Sequence, residues 1–243
     1  MELQDSLPRP LRKTVSIYDT IMSMKFTTPK LVDCAQHGPG SELFIVEGDS
    51  AARTLVRARN PENQAVFPMQ GKPMNALKAD AEDLHENVQF GTLLDALRVD
   101  LQHPGRPVEI PYERIVLLFD PDADGIHGRT LMLLFFYRWL RKTLDDGRIF
   151  DAHAPQWVVT SDKMSNAAFA STPQHLKKIR EYLKEKGITG VKTKRFRGLG
   201  SVDLDILTTQ CVDPETRELS VLTADHAENA LMLFEDLRSL GRD

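Results

Sequence analysis

The chain has 243 residues, 41% of them hydrophobic and 27% charged, with a formal net charge of −4 at pH 7. That length and balance fit a soluble globular protein with one large domain or two small ones, and leave any contact with nucleic acid to local patches of charge. Cys34 and Cys211 are too few for a disulfide framework or a cysteine zinc site, the longest apolar run (Leu131 to Tyr137) is far short of a membrane span, and the acidic amino terminus has no apolar stretch of the signal-peptide kind.

Residues 1–39 contain Pro, Ser and Thr with weak periodicity, and only Ile17, Ile21 and Met24 offer an amphipathic turn, so they read as an arm. From Ser41 the character changes. Leu43-Phe44-Ile45-Val46 is a buried-strand candidate ending in Glu47-Gly48-Asp49-Ser50, and Asp49 or Ser50 is expected to cap a helix over 51–58. Ala65 to Met69 gives a second strand, closed by Gln70-Gly71-Lys72. Residues 73–100 read as mostly helical, with Leu93, Leu94 and Leu97 on one face, and the prolines at 104, 107 and 111 mark a loop.

The third strand is Arg114 to Phe119, and it runs straight into Asp120-Pro121-Asp122-Ala123-Asp124-Gly125. A short continuous apolar run is the signature of a strand buried on both faces of a parallel sheet, and ligands of such sheets collect at the strands' carboxyl ends. Glu47 and Asp120 therefore share one stratum. Three carboxylates this close repel one another unless a cation or basic partner is present, and hard oxygen donors suit Mg²⁺. An EF-hand loop counted from Asp120 fails, because its twelfth position is Leu131. A haloacid-dehalogenase-type phosphatase would use Asp120 as nucleophile, but Asp124 stands where that family has Thr or Val. A solvated acidic turn leaves the repulsion unanswered, so a metal site is the preferred reading.

A helix is expected from about His127 to Leu144, apolar nearly all round at its start and therefore buried. Strand and helix alternate three times, the pattern of a doubly wound parallel sheet. The last third differs. Trp157–Thr160 and Ala167–Ala170 flank a turn like a hairpin, and Thr172-Pro173 starts a helix whose apolar face is Leu176, Ile179, Tyr182 and Leu183. Nine Lys or Arg lie between Gln174 and Arg197, and lead into Arg197-Gly198-Leu199-Gly200, a glycine-paired loop able to approach a phosphate backbone.

Taken together, Ser41-Glu42-Leu43-Phe44-Ile45-Val46-Glu47-Gly48-Asp49-Ser50-Ala51, Asn63 to Lys72, Asp120-x-Asp122-x-Asp124-Gly125-x-His127, Arg197 to Gly200 and Asp213-Pro214-Glu215-Thr216-Arg217 resemble the toprim-containing half of the B subunits of type IIA DNA topoisomerases, over roughly residues 30–240. The resemblance implies an α/β fold: a Rossmann-like parallel toprim sheet with helices on both faces at 40–155, preceded by an arm (1–39) and followed by a mixed α+β extension (156–243) ending in a helix. It implies that Glu47 and Asp120 hold the Mg²⁺ nearest the scissile phosphate, that Asp120 and Asp122 hold a second ion with Asp124 in support, and that Lys72, His127 and Arg197 contact DNA phosphate.

Ala52 and Arg53 stand where the family has a glycine pair, Gln70 where it has a basic residue, Ile126 where it has serine and Ser201 where it has an acid. Residues 1–30 have no room for the family's ATPase domain, no Walker-type loop is present, and none of the four tyrosines sits in the setting of the family's nucleophile. The expectation is half an active site: a cytoplasmic, nucleoid-associated type II topoisomerase (isomerase) subunit without a membrane segment. It would work in a hetero-oligomer with DNA and an A-type subunit that brings the tyrosine, relaxing DNA without ATP. The alternatives are a non-catalytic module that binds topoisomerase subunits or DNA, and a toprim nuclease or phosphatase acting alone.

Overall fold

The computed structural model describes residues 31–103 and 108–240. The sheet is built on β1 (Gly38–Glu47), which pairs in parallel with β2 (Gln64–Met69) on one side and β3 (Tyr112–Leu118) on the other. Beyond β3 come β4 (Ile149–Ala152), parallel, and β8 (Leu219–Val221), antiparallel, giving the order β2-β1-β3-β4-β8. Because β1 is followed on one side by β2 and on the other by β3, the strand order reverses there, and the crevice at the carboxyl ends of β1 and β3 is the topological switch point.

The continuous apolar runs have a direct cause. Leu43, Ile45, Ile115 and Leu117 face one core, while Phe44, Val46, Val116 and Leu118 face another, each 1% exposed or less. A strand with both faces covered needs no polar alternation. The first core is closed by α2 (Ala81–Glu86), α3 (Val88–Ala96), α4 (Ala123–Trp139), α5 (Arg141–Asp145) and α8 (Ala224–Leu240). The second is closed by α1 (Gly48–Ala58), the short α7 (Leu204–Leu207) and the π-type turn Thr208–Val212. Trp157–Thr160 (β5) and Ala168–Ala170 (β6) do form the expected hairpin, joined by β7 (Lys192–Arg195) into a second sheet of order β6-β5-β7. Against it lies α6 (Pro173–Glu185), whose start follows expectation: the Thr172 hydroxyl accepts the His175 N–H at 3.1 Å, with proline in the first turn.

Several expectations are corrected. The helix after β1 begins at Gly48, so Asp49 and Ser50 lie inside it, and Glu47 holds the cap position without a side-chain hydrogen bond. Gly48 makes this loopless turn at φ +76°, a conformation that disfavours any other residue. The stretch 73–100 is two short helices parted at Asn87, whose Oδ1 accepts the N–H groups of Gln89 and Phe90, both at 3.1 Å. The helix expected to reach Leu144 breaks at Leu140, which leaves helical geometry to bury its side chain. Tyr182, placed on an apolar face, is 57% exposed, and the Lys186 ammonium sits over its ring. Of the amino-terminal arm, residues 1–30 lie outside the described residues, as do 104–107 of the proline loop. Val32, however, pairs with Val66 of β2, so the end of the arm belongs to the sheet.

Candidate metal centre

Glu47 ends β1, and Asp120 follows β3 two residues after its last paired position, so the sheet delivers both to the switch point. The turn from Asp120 to Gly125 is folded tightly on itself: a Cβ at Gly125 would lie 2.0 Å from the Asp120 carbonyl oxygen. Asp122 caps α4, with one carboxylate oxygen accepting the Gly125 N–H at 2.9 Å. Asp124 is exposed, and the Lys72 ammonium lies 3.4 Å from it.

Burial first, then the charges of Asp120, Asp122 and Asp124, push the pKa of Glu47 up, with Lys72 opposing. Its Oε2 is buried and has no hydrogen-bond partner among the described residues. Asp120 is also pushed up, mainly by burial, with the Asp122 charge adding and a hydrogen bond from the Leu199 N–H (2.7 Å to Oδ1) opposing. A buried carboxylate oxygen with no donor, among acids that raise its proton affinity, is an arrangement that a divalent cation would relieve. The donor set, oxygen throughout, suits Mg²⁺.

The glycine-paired loop reaches this site in an unexpected way. A Cβ at Gly198 would meet Asp120 Oδ2 at 2.5 Å, and one at Gly200 would meet Ser50 Oγ at 2.6 Å. Both glycines therefore let the loop pack closely, Gly198 against Asp120 and Gly200 against Ser50 of α1. Arg197 is exposed and lines a narrow recess with Asp120, Pro121, Asp122 and Gln156. His127 stands apart: its ring lies 6.1 Å from that of Phe234, and it lines a separate cavity with Asn75, Lys78 and Leu131. Lys72, Asp124, Glu47, Asp120, Asp122 and Arg197 thus share one region, and His127 faces the terminal helix.

A second group was not foreseen. Among the described residues, only Asp33, Cys34 and His37 bring three candidate ligand atoms within 4.8 Å of one another, and no three of the four acids of the switch point do so. Asp33 is nonetheless already engaged. Its Oδ1 accepts from the Tyr112 hydroxyl at 2.7 Å and the Cys34 N–H at 2.8 Å, His37 Nε2 lies 3.0 Å away, and an Arg98 nitrogen lies 3.5 Å from His37 Nδ1. Burial raises the Asp33 pKa, but these hydrogen bonds outweigh it and the net shift is downward. The trio ties residues 31–37 to β3, and its ring nitrogen faces a guanidinium rather than an open position.

Also unforeseen are two ion pairs. Arg217 and Glu42, each nearly fully buried, form a two-pronged bond, with Arg217 Nη1 donating to Glu42 Oε2 at 2.8 Å. Arg129 bonds the buried Asp151. The signal for the first was a charged residue inside an otherwise apolar strand, which must find a partner.

Acids gathered at the switch point of a mostly parallel sheet with helices on both faces define a class, and residues 42–153 match the Toprim domain. More narrowly, the chain is 35% identical to the DNA gyrase B subunit of Thermotoga maritima over 88% of its own length and 33% of that protein's. It is 30% identical to the DNA topoisomerase 4 B subunit of Rickettsia bellii over 93% of its length and 34% of the relative's. Against the mitochondrial DNA gyrase B subunit of Arabidopsis thaliana the identity is 34%, over 86% and 28%. The chain spans about a third of the length of the relatives it matches. No helix among the described residues is long and apolar enough to cross a membrane.

Proposed function

We propose that the chain is the Mg²⁺-binding part of a type IIA-like DNA topoisomerase active site, completed by a tyrosine from a separate A-type subunit. The observation that carries this reading is the buried, partnerless Glu47 oxygen among Asp120, Asp122 and Asp124 at the sheet's switch point. Glu47 and Asp120 would hold one ion and Asp120 with Asp122 a second, Asp124 supporting. Bound there, the ions would neutralise a DNA phosphate and stabilise the 3′-oxygen as it leaves or returns. In the reaction a partner tyrosine oxygen bonds to phosphorus as the bond to the DNA 3′-oxygen breaks, and the reverse step restores the strand, so no bond energy is lost.

The chain's own residues orient this chemistry. The Leu199 N–H holds one Asp120 oxygen, Asp122 is fixed as the cap of α4, and Arg197 lines the recess beside them, where it can pair with phosphate. Lys72 would exchange Asp124 for phosphate when DNA arrives. His127, whose ring lies 6.1 Å from that of Phe234, would contact DNA beside the terminal helix. Because the exchange of phosphodiester bonds conserves bond energy, a reaction assembled from this chain and a tyrosine partner should not need ATP. Its place would be with DNA in the cytoplasm.

The test mixes the chain with an A-type subunit and supercoiled plasmid. Relaxation or covalent cleavage should require Mg²⁺, and Asp120→Ala or Asp122→Ala should abolish it; undiminished activity in either variant would sink the assignment. One observation favours a non-catalytic binding module instead. Ala52, Arg53, Ile126 and Ser201 depart from the residues expected around the site, and Ile126, two residues from Asp124, is 49% exposed, as a module that keeps the fold without the chemistry could tolerate. Calorimetry separates the two readings, because a module of that kind has no need to bind Mg²⁺ at millimolar concentration with DNA present.

A further inference from the structure

Among the described residues the Arg197–Ser201 loop carries the one backbone N–H that Asp120 accepts. Ser201 closes the loop twice, its backbone N–H donating to the Gly198 carbonyl at 2.9 Å and its hydroxyl bridging the loop. Ser201 Oγ accepts the Arg197 N–H at 2.9 Å and the Gly198 N–H at 3.3 Å, and donates to the Gly198 carbonyl at 2.7 Å. All the hydrogen-bonding capacity of that hydroxyl is spent inside the loop. On either side Phe196 and Leu199 are buried and held by backbone bonds, the Phe196 N–H on the Gln156 carbonyl at 2.8 Å and the Leu199 carbonyl by the Val202 N–H at 3.2 Å. Between them, the N–H groups of Arg197 and Gly198 bond only the Ser201 hydroxyl among the described residues. Gly198 there passes so close to Asp120 Oδ2 that no Cβ fits. From sequence alone, Ser201 stands out only as a departure from an expected acid.

We infer that Ser201 is a positioning residue of the metal centre: its hydroxyl clasps the loop so that the Leu199 N–H is held on Asp120 Oδ1, leaving Oδ2 as the oxygen offered to a cation. This rests on the Mg²⁺ reading given above. The clasp also sets where Arg197 leaves the loop, so one hydroxyl orients both an acid for the ion and a base for the phosphate. Groups that orient a metal's ligands typically matter to affinity by about tenfold or more.

The experiment uses the full chain and Mg²⁺ alone, with calorimetry for affinity and the Leu199 amide resonance as a local probe. Four variants are compared with the parent: Ser201→Ala, Ser201→Thr, Ser201→Val and Asp120→Asn. Thr keeps the hydroxyl, and Val has the same bulk without it; position 201 is exposed, so both fit. Ala and Val should bind Mg²⁺ about tenfold more weakly and move the Leu199 amide upfield, as Asp120→Asn should, while Thr should match the parent in both readouts. If the parent binds Mg²⁺, Asp120→Asn loses it, and Val and Ala remain like the parent, the inference about Ser201 falls and the metal centre stands. If the parent itself binds no Mg²⁺, both fall. Should the Ala variant not fold, the Thr and Val pair decides alone.

Discussion

At the scale of single residues the site is assembled against the chain's own stability. Glu47 and Asp120 have pKa values raised in the folded state, so their contribution to stability is complete below their unfolded pKa values and is lost as pH rises through the folded ones. In the absence of Mg²⁺, Glu47→Gln and Asp120→Asn should therefore melt above the parent at neutral pH, by roughly 2–4 °C for each kcal/mol of repulsion relieved. The advantage should vanish in mild acid, where the parent's carboxyls are protonated; a gain that persists there would show that charge is not its cause. Asp33 runs the other way: its lowered pKa gives stability present above its unfolded value and lost as pH falls through the folded one. Gly198→Ala tests the close packing. Its new methyl must displace Asp120, so we expect a loss on the order of 1–3 kcal/mol in denaturant unfolding together with loss of Mg²⁺ binding.

Between elements, the chain closes on itself through the Arg217 and Glu42 pair. Glu42 is the second residue of the buried part of β1, while Arg217 follows the Asp213-to-Thr216 turn and also donates to the Val212 carbonyl at 2.9 Å. Removing one partner leaves the other charge buried and unpaired, so Arg217→Ala should cost on the order of 3–5 kcal/mol in urea unfolding, less whatever Arg114, 3.6 Å from Glu42, makes good. The paired change Glu42→Gln with Arg217→Met should recover much of that; failure to recover would mean the loss is one of packing. The segment Asp213 to Arg217 was legible only as a motif, and its physical task appears once its partner in β1 is seen. The same contrast runs through the fold. β1, β2 and β3 were readable because burial on both faces writes an unbroken apolar run. β4 was missed because it is four residues long and holds Asp151, whose charge is answered from α4, and β7 because all its residues are exposed and three are basic. In the site, four acids could be read from spacing. The bond between Leu199 and Asp120 could not, because it joins residues 79 apart in the chain and uses a backbone group that no side chain advertises.

For the molecule as a whole the question is how a chain of net charge −4 would hold a polyanion. The answer lies in how charge is distributed. The nine Lys and Arg between Gln174 and Arg197 are all exposed, on α6, on β7 and in the turns that lead to the recess beside Asp120. Some are partly answered in the chain, as Lys194 is by Asp203 at 3.0 Å and Lys177 by Glu181 at 3.8 Å, and a solvated basic face would look much the same. Salt separates the two cases, because each phosphate neutralised on DNA releases counterions and steepens the fall of affinity with ionic strength. Lys177, Arg180 and Lys184 line one strip of α6. Replacing all three with Glu should weaken duplex binding and flatten the plot of log affinity against log salt by about 0.9 for each phosphate no longer neutralised. Mg²⁺ affinity measured without DNA should stay as it was, since none of the three touches the acids. With an A-type partner the same variant should relax plasmid poorly at moderate salt and recover as salt is lowered, equally with or without ATP. An unchanged salt slope would assign the strip to solvent, and strict ATP dependence would mean that the ATPase domain of another subunit takes part.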